Sequence, residues 1–377
     1  MQPRLFRSTL PPTARRLAVA ALLAVPLLAW PAVGSADTSS PSYSGRAYVV
    51  QASALGTQLQ PIADTGELPA TGGAQEASLL TVSAIPLDDV GALNGAEVAH
   101  ATTVGQGNAS RSEASVANLS LTVAGTTITA DFLMSRAAAR CNGSSPSVSG
   151  SSELAALSIS SVNGGQPITV TTAANQTIVL PVDAGTVVIN EQSPSISGQS
   201  GSMDVNALHV TITNPVNPTL GPPLAEVIVS HAHADITCPT SPSQPPACGA
   251  TPTDFVTGGG WIVSPSDRNA KANFAVAGGM KNGFWGHLLY IDHGNGMRVK
   301  GTGVTGYNFY PDHTTNWRQI LGWADVNGTS ESYEADVADN GEPGSGLDQF
   351  QLELNNAPVA PASLLGGGNI QLHKACQ

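Results

Sequence analysis

The sequence predicts an all-β protein built from two β-sandwich-like domains that a short Pro-rich connector joins. Apolar and polar residues alternate with a period of two in many short segments, turn residues separate these segments, and helical periodicity is nearly absent. Many short strands with turn signals between them are typical of β-sandwiches. We predict a signal peptide at 1–36, a first domain at 37–237, a connector at 238–253 and a second domain at 254–377.

Residues 1–36 have the pattern of an export signal. Arginines between Arg4 and Arg16 precede an apolar stretch, Leu17–Trp30, which is too short for a stable membrane span. Gly34-Ser35-Ala36 supplies the small residues that a signal peptidase needs. We predict export by the Sec pathway with cleavage near Ala36, a secreted or extracellular mature chain, and no membrane span within it.

The charge balance argues against two classes of partner. The chain has a net charge of −12, and residues 1–36 contain four arginines and no acidic residue. The mature chain therefore keeps 11 basic and 27 acidic residues, a net charge of −16. Such a protein attracts neither a phosphate backbone nor anionic lipid headgroups, so we predict no nucleic-acid or membrane-surface partner.

The first domain is predicted to be a succession of short strands. Residues 119–123 and 128–134 alternate on either side of Ala124-Gly125, which indicates a hairpin. Asn163-Gly164 should form the turn of another hairpin, because Asn-Gly supplies positive φ angles. The only helical candidate is the alanine-rich piece Arg136–Arg140. Further strands are predicted at 47–51, 176–181, 185–190, 204–212 and 225–236.

The connector and the cysteines organise the chain. Four prolines and no apolar run lie between Cys238 and Cys248, which predicts an extended, semi-rigid segment. Four cysteines in an exported chain argue for two disulfides, and three connectivities are open. We favour Cys141–Cys238 and Cys248–Cys376, because each pair then lies inside one domain. A cysteine metal site would need Cys-x-x-Cys spacing, which is absent.

The second domain should have a core of large rings. Three aromatic residues lie between Asp37 and Asp254, and thirteen lie from Phe255 to the end. Three successive glycines, 258–260, interrupt the first predicted strand and indicate either a bend of the backbone or a close approach to it. The remaining strands are predicted at 286–292, 297–300, 317–326, 329–337 and 348–354, with Asn327-Gly328 as a hairpin turn and 339–344 as a loop.

Several motifs of both domains resemble a known arrangement. The segments are FVTGGGWI (255–262), KNGFWGHLLYIDH (281–293), VKGTGVTGY (299–307), DNGEPG (339–344) and GGGNIQLHK (366–374) in the second domain, and SEASVANLSLTV (112–123), NEQ (190–192), VNALHV (205–210) and SHAHADITC (230–238) in the first. The segments of the first domain resemble the choice-of-anchor P module, and the segments of the second domain resemble the post-COAP-1 domain that follows it. The resemblance implies an exported, β-rich bacterial protein of a family that commonly carries a surface-anchoring signal, and it implies no catalytic residues.

Two groups of residues are candidate ligand sites. Asp339, Asn340, Glu342 and Asp348 place oxygen donors in a glycine-rich loop, which suits calcium, although Asp and Asn beside Gly are also ordinary turn residues. The sequence requires no cofactor, and calcium is the metal that it favours. The aromatic residues of the second domain could instead stack on a glycan or could form an ordinary core; they are Trp285, Tyr307, Tyr310, Trp317 and Trp323.

His231, His233 and Asp235 form a third group, because alternation on a strand puts them on one face. That face could ligate zinc or could simply be the solvated side of an antiparallel strand.

No catalytic signature is present in the sequence, and no Gly-x-Ser-x-Gly elbow occurs. We therefore expect a non-enzymatic protein with a structural or adhesive role at the bacterial surface or outside the cell, whose partner is an unknown surface protein or a cell-wall glycan. The alternatives are an extracellular carbohydrate-binding protein that uses the aromatic residues of the second domain and, less favoured, a secreted hydrolase.

Overall fold

The computed structural model describes residues 40–374 apart from 88–90, 161, 163–167, 172, 182–183, 214–222, 241–253, 282 and 311–314. These residues contain no α-helix and are mainly strand, so the all-β prediction is confirmed. A search of the same residues finds no helix that could cross a membrane. The signal peptide, the Asn163-Gly164 turn, Cys248, Cys376 and most of the connector lie outside the described residues.

The described residues form 23 strands. In chain order they are β1 Ser42–Ala54, β2 Thr57–Gln58, β3 Ile62–Asp64, β4 Gly73–Val82, β5 Ile85–Leu87, β6 Gly91–Gln106, β7 Ala109–Val123, β8 Thr126–Asn142, β9 Ser145–Ala155, β10 Ser158–Ile159, β11 Gln176–Val179, β12 Gly185–Ser197, β13 Ser200–Ile212, β14 Ala225–Thr237, β15 Phe255–Val263, β16 Lys271–Met280, β17 Phe284–Asp292, β18 Met297–Phe309, β19 Trp317–Val326, β20 Thr329–Ala338, β21 Gln349–Leu354, β22 Ala357–Leu364 and β23 Gly367–His373.

The residues of the predicted first domain form two antiparallel sheets. Sheet 1 has the order β11-β12-β13-β14-β1-β2, with β3 paired to β1. Sheet 2 has the order β10-β8-β7-β6-β4, with β5 paired to β6 and β9 paired to β8. Small and medium aliphatic side chains fill the space between these sheets, among them Val49, Leu121, Leu133, Val210 and Val229. The predicted hairpin at Ala124-Gly125 is confirmed as the turn between β7 and β8.

The residues of the predicted second domain form one nine-stranded antiparallel sheet, sheet 3, in the order β22-β21-β20-β19-β18-β17-β16-β15-β23. The sheet curls around its own core. Rings occupy that core as the composition predicted, with Phe274 stacked on Phe350 at 4.1 Å between centroids. The hairpin at Asn327-Gly328 is confirmed as the turn between β19 and β20.

Sheet 2 is covered on both faces. Alternate residues of β6, such as Ala99 and Ala101, face sheet 1, whereas Val98 packs with Leu289 and Ile291 of β17 in sheet 3. This explains why β6 is buried without interruption from Val98 to Gly105. The described residues all belong to one compact unit.

One prediction from sequence is wrong. Arg136–Arg140 is not helical but lies in the C-terminal half of β8, paired with both β7 and β9. Ala137 and Ala139 point to a small core beside the disulfide, so alternation with a period of two outweighs the helical propensity of alanine.

The disulfide Cys141–Cys238 is confirmed, with an S–S distance of 2.16 Å and a separation of 97 residues. It joins the end of β8 in sheet 2 to the residue that follows β14 in sheet 1. Both cysteines pack in an apolar cluster with Met203 and Ile236.

Candidate functional site

A polar cleft of about 740 Å³ opens where the end of sheet 2 meets sheet 3. Strands β7, β8 and β9 supply one wall, and β23 with the loop before β21 supplies the other, while β12 of sheet 1 adds two amides. The polar residues of its lining are Arg111, Ser112, Glu113, Arg136, Arg140, Ser149, Ser151, Ser152, Glu153, Asn190, Gln192, Glu342, Ser345, Asn369 and Gln371.

Three arginines converge on this cleft. Arg136 Nε donates a 3.3 Å hydrogen bond to Ser151 Oγ, but its Nη1 atom is buried and has no hydrogen-bond partner among the described residues. Arg111 Nε is also buried without a partner there. Burial and the neighbouring charge of Arg140 lower the pKa of Arg111 to about 10, so this guanidinium still carries its charge at neutral pH.

Two carboxyl groups of the cleft are largely shielded from solvent. Glu113 is only 8% exposed, and burial raises its pKa to about 8. Burial also raises the pKa of Glu153, whose Oε2 accepts a hydrogen bond from the Gly368 amide at 3.1 Å. Because Glu113 is largely protonated at pH 7, the cleft is more positive than a count of its residues indicates.

Amide side chains connect the walls. Asn369 Nδ2 donates to Glu113 Oε2 and to Glu342 Oε1, each at 3.3 Å, and so bridges β7 and the loop before β21. On the sheet 1 side, Ser152 Oγ donates to Asn190 Oδ1 at 2.7 Å. These bonds fix the width of the cleft with groups that a polar ligand can also contact.

Sequence reasoning missed the cleft residues apart from Glu342, although one signal was present. Between residues 37 and 253 the only basic residues are Arg46, Arg111, Arg136 and Arg140. Three of these four line the cleft. In a domain so poor in positive charge, arginines set among small residues indicate one shared surface.

The predicted calcium residues lie together beside the cleft, and their oxygens accept hydrogen bonds from protein amides. Asp348 is fully buried and accepts from the Asn340 and Ile370 amides, each at 2.8 Å, and burial raises its pKa to about 7. Asp339 accepts from the Leu372 amide at 2.8 Å. Glu342 faces the cleft. These bonds anchor the loop to β23, and calcium binding stays a prediction.

The predicted stacking aromatics have different surroundings. Tyr307 is buried in the core of sheet 3 and donates to Asp254 at 3.1 Å. Trp285 is half-buried against Phe255, with ring centroids 5.4 Å apart. The ring centroids of Tyr310 and buried Trp317 lie 5.7 Å apart.

Trp323 differs from these rings because it is 52% exposed. It lines a shallow depression of about 200 Å³ on sheet 3. Glycan stacking by this set of rings stays a prediction.

His231, His233 and Asp235 share one face of β14 as predicted, and the two histidines are already hydrogen-bonded. His231 Nδ1 is 2.7 Å from Asn206 Oδ1, and His233 Nδ1 is 2.9 Å from Asp204 Oδ1. The ring of His231 also stacks on Tyr48 at 4.4 Å. This face is a polar network on the outside of sheet 1.

No family model, no curated protein and no solved structure matches the chain.

Proposed function

We propose that this chain is an exported, non-catalytic adhesive protein that binds an acidic cell-wall saccharide in the cleft between sheet 2 and sheet 3. The observation that carries the proposal is the convergence there of Arg111, Arg136 and Arg140 in a protein with a net charge of −12. Guanidinium groups recognise carboxylates through paired hydrogen bonds, and buried arginine nitrogens without partners are available for such a ligand.

The chemistry of the lining favours a sugar over an apolar ligand. The described lining contains no aromatic ring, and its few apolar members are small residues such as Ala137 and Pro343. Serine hydroxyls and side-chain amides are the groups that bind saccharide hydroxyls. Muramic acid in peptidoglycan combines such hydroxyls with a carboxylate, which makes peptidoglycan fragments the first ligands to test.

Export and surface location rest on the sequence. The N-terminal pattern and the disulfide support an oxidising compartment outside the cytoplasm. The resemblance to the choice-of-anchor P module and the post-COAP-1 domain supports a role at the bacterial surface. Cell-wall glycans are available as ligands in that location.

The test is a calorimetric titration of the purified protein with peptidoglycan fragments that carry muramic acid and with neutral chitooligosaccharides. We expect binding of the acidic fragments, weakened at high salt because exposed charges are screened. Arg136→Gln should reduce the affinity at least about tenfold, which corresponds to about 1.4 kcal/mol. The matched control is Arg268→Gln, since Arg268 is exposed in the turn between β15 and β16 and does not line the cleft.

Equal loss of affinity in both variants, or equal binding of neutral and acidic fragments, would contradict the proposal. Release of reducing ends during the titration would contradict the non-catalytic part of it and favour the hydrolase alternative.

A second candidate function is glycan stacking on sheet 3, which the exposure of Trp323 favours. The depression beside this ring also contains Ser332, Glu334 and Asn356, which can bind hydroxyl groups. Trp323→Ala in the same titration separates the two sites, because loss of affinity in this variant with full retention in Arg136→Gln assigns binding to sheet 3.

A further inference from the structure

Three side chains that can bind a metal meet between sheet 2 and sheet 3, and none of them lines the cleft. They are Glu76 on β4, His100 on β6 and His287 on β17. One ligand atom of each lies within 4.8 Å of the others. His287 Nδ1 is 2.5 Å from Glu76 Oε2, and the two imidazole rings are 5.1 Å apart.

Strand pairing places these groups on facing surfaces. In the register of β4 and β6, Glu76 is opposite Thr102 and Ser78 is opposite His100, so Glu76 and His100 are diagonal neighbours on one face of sheet 2. On β17, His287 and Leu289 alternate with core residues of sheet 3, and Leu289 packs against Val98 of β6. The apolar contact therefore holds His287 over the face that carries His100.

Both ring nitrogens of His100 and of His287 are buried and make no hydrogen bond among the described residues, although His287 Nδ1 lies close to Glu76 Oε2. His100 is fully buried. By contrast, the two ring nitrogens of His209 on β13 lie 2.8 Å from Glu191 and 2.8 Å from Glu226. A buried imidazole without hydrogen-bond partners costs free energy, and a bound ion offsets that cost.

The group is not sealed from solvent. Glu76 contributes a carboxylate, and its side chain is 28% exposed, which gives an ion and water a route to the group.

We infer that Glu76, His100 and His287 bind a divalent transition-metal ion, with zinc as the first candidate. Two imidazoles and one carboxylate, with water in the remaining position, form a ligand set that zinc prefers. Because Glu76 and His100 come from sheet 2 and His287 comes from sheet 3, the ion links the two sheets. Binding only to the folded state then raises the stability of the whole unit.

The test begins with untagged protein that has been treated with a chelator and then titrated with Zn²⁺ by calorimetry. We expect binding of one ion per chain and an increase of several degrees in Tm at saturating Zn²⁺. Titration with Co²⁺ should give the visible absorption of a low-symmetry, four- or five-coordinate site. This spectroscopic readout does not depend on the stability of the protein.

Substitutions then locate the site. His100→Gln and Glu76→Gln should each weaken Zn²⁺ binding at least tenfold, and Glu76→Gln is the safer variant because this side chain is partly exposed. The matched control is His293→Gln, since His293 Nε2 lies 3.4 Å from Glu97 in another histidine–glutamate contact between the same sheets. A second control, with His231 and His233 both changed to Gln, removes the histidine face of β14.

Both controls should keep the affinity of the unchanged protein. The inference is overturned if no stoichiometric binding occurs, if Glu76→Gln binds Zn²⁺ as tightly as the unchanged protein, or if either control loses affinity to the same extent as His100→Gln.

Discussion

At the scale of single residues, burial decides which charges the cleft carries. Glu113 is an acid in the sequence, but its carboxyl group lies between β7 and β23 with one weak hydrogen bond from Asn369. Loss of hydration raises its pKa from an ordinary value of 4.5 to about 8. The positive charge of Arg136 lowers the pKa of Glu113, but by less than burial raises it. The positive character of the cleft thus follows from a protonated glutamate as well as from three arginines.

This environment predicts a pH dependence for Glu113→Gln. The folded-state pKa of Glu113 is raised, so the folded protein holds a proton between pH 4.5 and about 8 that the unfolded chain releases. The contribution of Glu113 to the free energy of unfolding of the wild type is therefore lost as the pH rises through that range. Since glutamine does not titrate, the variant should become more stable than the wild type by at least about 1 kcal/mol at pH 8.5 and should match it near pH 4.5.

Urea denaturation at several pH values measures this difference. The control is Glu67→Gln, because the Glu67 side chain is 67% exposed and lies outside the cleft. A constant difference between Glu113→Gln and the wild type across the pH range would show that Glu113 is ionised in the folded state.

At the scale of strands, glycine permits close pairing at the edge of sheet 3. A Cβ atom on Gly260 of β15 would lie 2.3 Å from the carbonyl oxygen of Gly367 and 3.1 Å from Gly368 Cα, both in β23. These are backbone atoms, so a rotamer change cannot relieve the contact. Of the two predicted explanations for the glycine run, a bend or a close approach, close approach of a neighbouring strand applies at Gly260.

Gly260→Ala should destabilise the protein by about 1–3 kcal/mol, because the added methyl group pushes β23 away from β15. Gly303→Ala is the matched control, since Gly303 lies in β18 of the same sheet and a Cβ atom there meets nothing within 4 Å. Thermal unfolding of the two variants measures the effect. Equal stability of both variants would mean that β23 moves without cost.

At the scale of the whole molecule, the disulfide and the tryptophans report on different sheets. Cys141–Cys238 joins sheet 2 to sheet 1. The tryptophans among the described residues all belong to β15, β17 and β19 of sheet 3. Apolar packing of Leu289 and Ile291 on sheet 2, together with the Lys271–Asp131 ion pair at 2.6 Å, connects the two parts.

We expect this connection to make unfolding cooperative. Replacement of Cys141 and Cys238 by alanine should lower the stability by about 2–4 kcal/mol, because the disulfide restricts a long loop of the unfolded chain. The unfolding midpoint measured by tryptophan fluorescence, which reports on sheet 3, should shift by the same amount as the midpoint measured by far-UV circular dichroism, which reports on all sheets. A fluorescence transition that does not move when the circular dichroism transition does would show that the sheets unfold separately.

Local chemistry determined the fold class and the main hairpins from the sequence. Alternation with a period of two and turn residues such as Asn327-Gly328 act over a few residues, so they can be recognised without knowing which strands are neighbours. Alternation also places residues of one strand on a common face, as for His231 and His233. The helical propensity of alanine was misleading at Arg136–Arg140, where pairing with two neighbouring strands outweighed it.

Tertiary structure alone decided both candidate sites. Glu113 and Asn369 are 256 residues apart in the chain but share a hydrogen bond, and His287 reaches Glu76 only because sheet 3 packs on sheet 2. Strand register and the packing of one sheet on another set these contacts, and neither is encoded in the spacing of residues along the chain. The pKa of a buried group depends on the same packing, since solvent exclusion comes from residues that are distant in sequence.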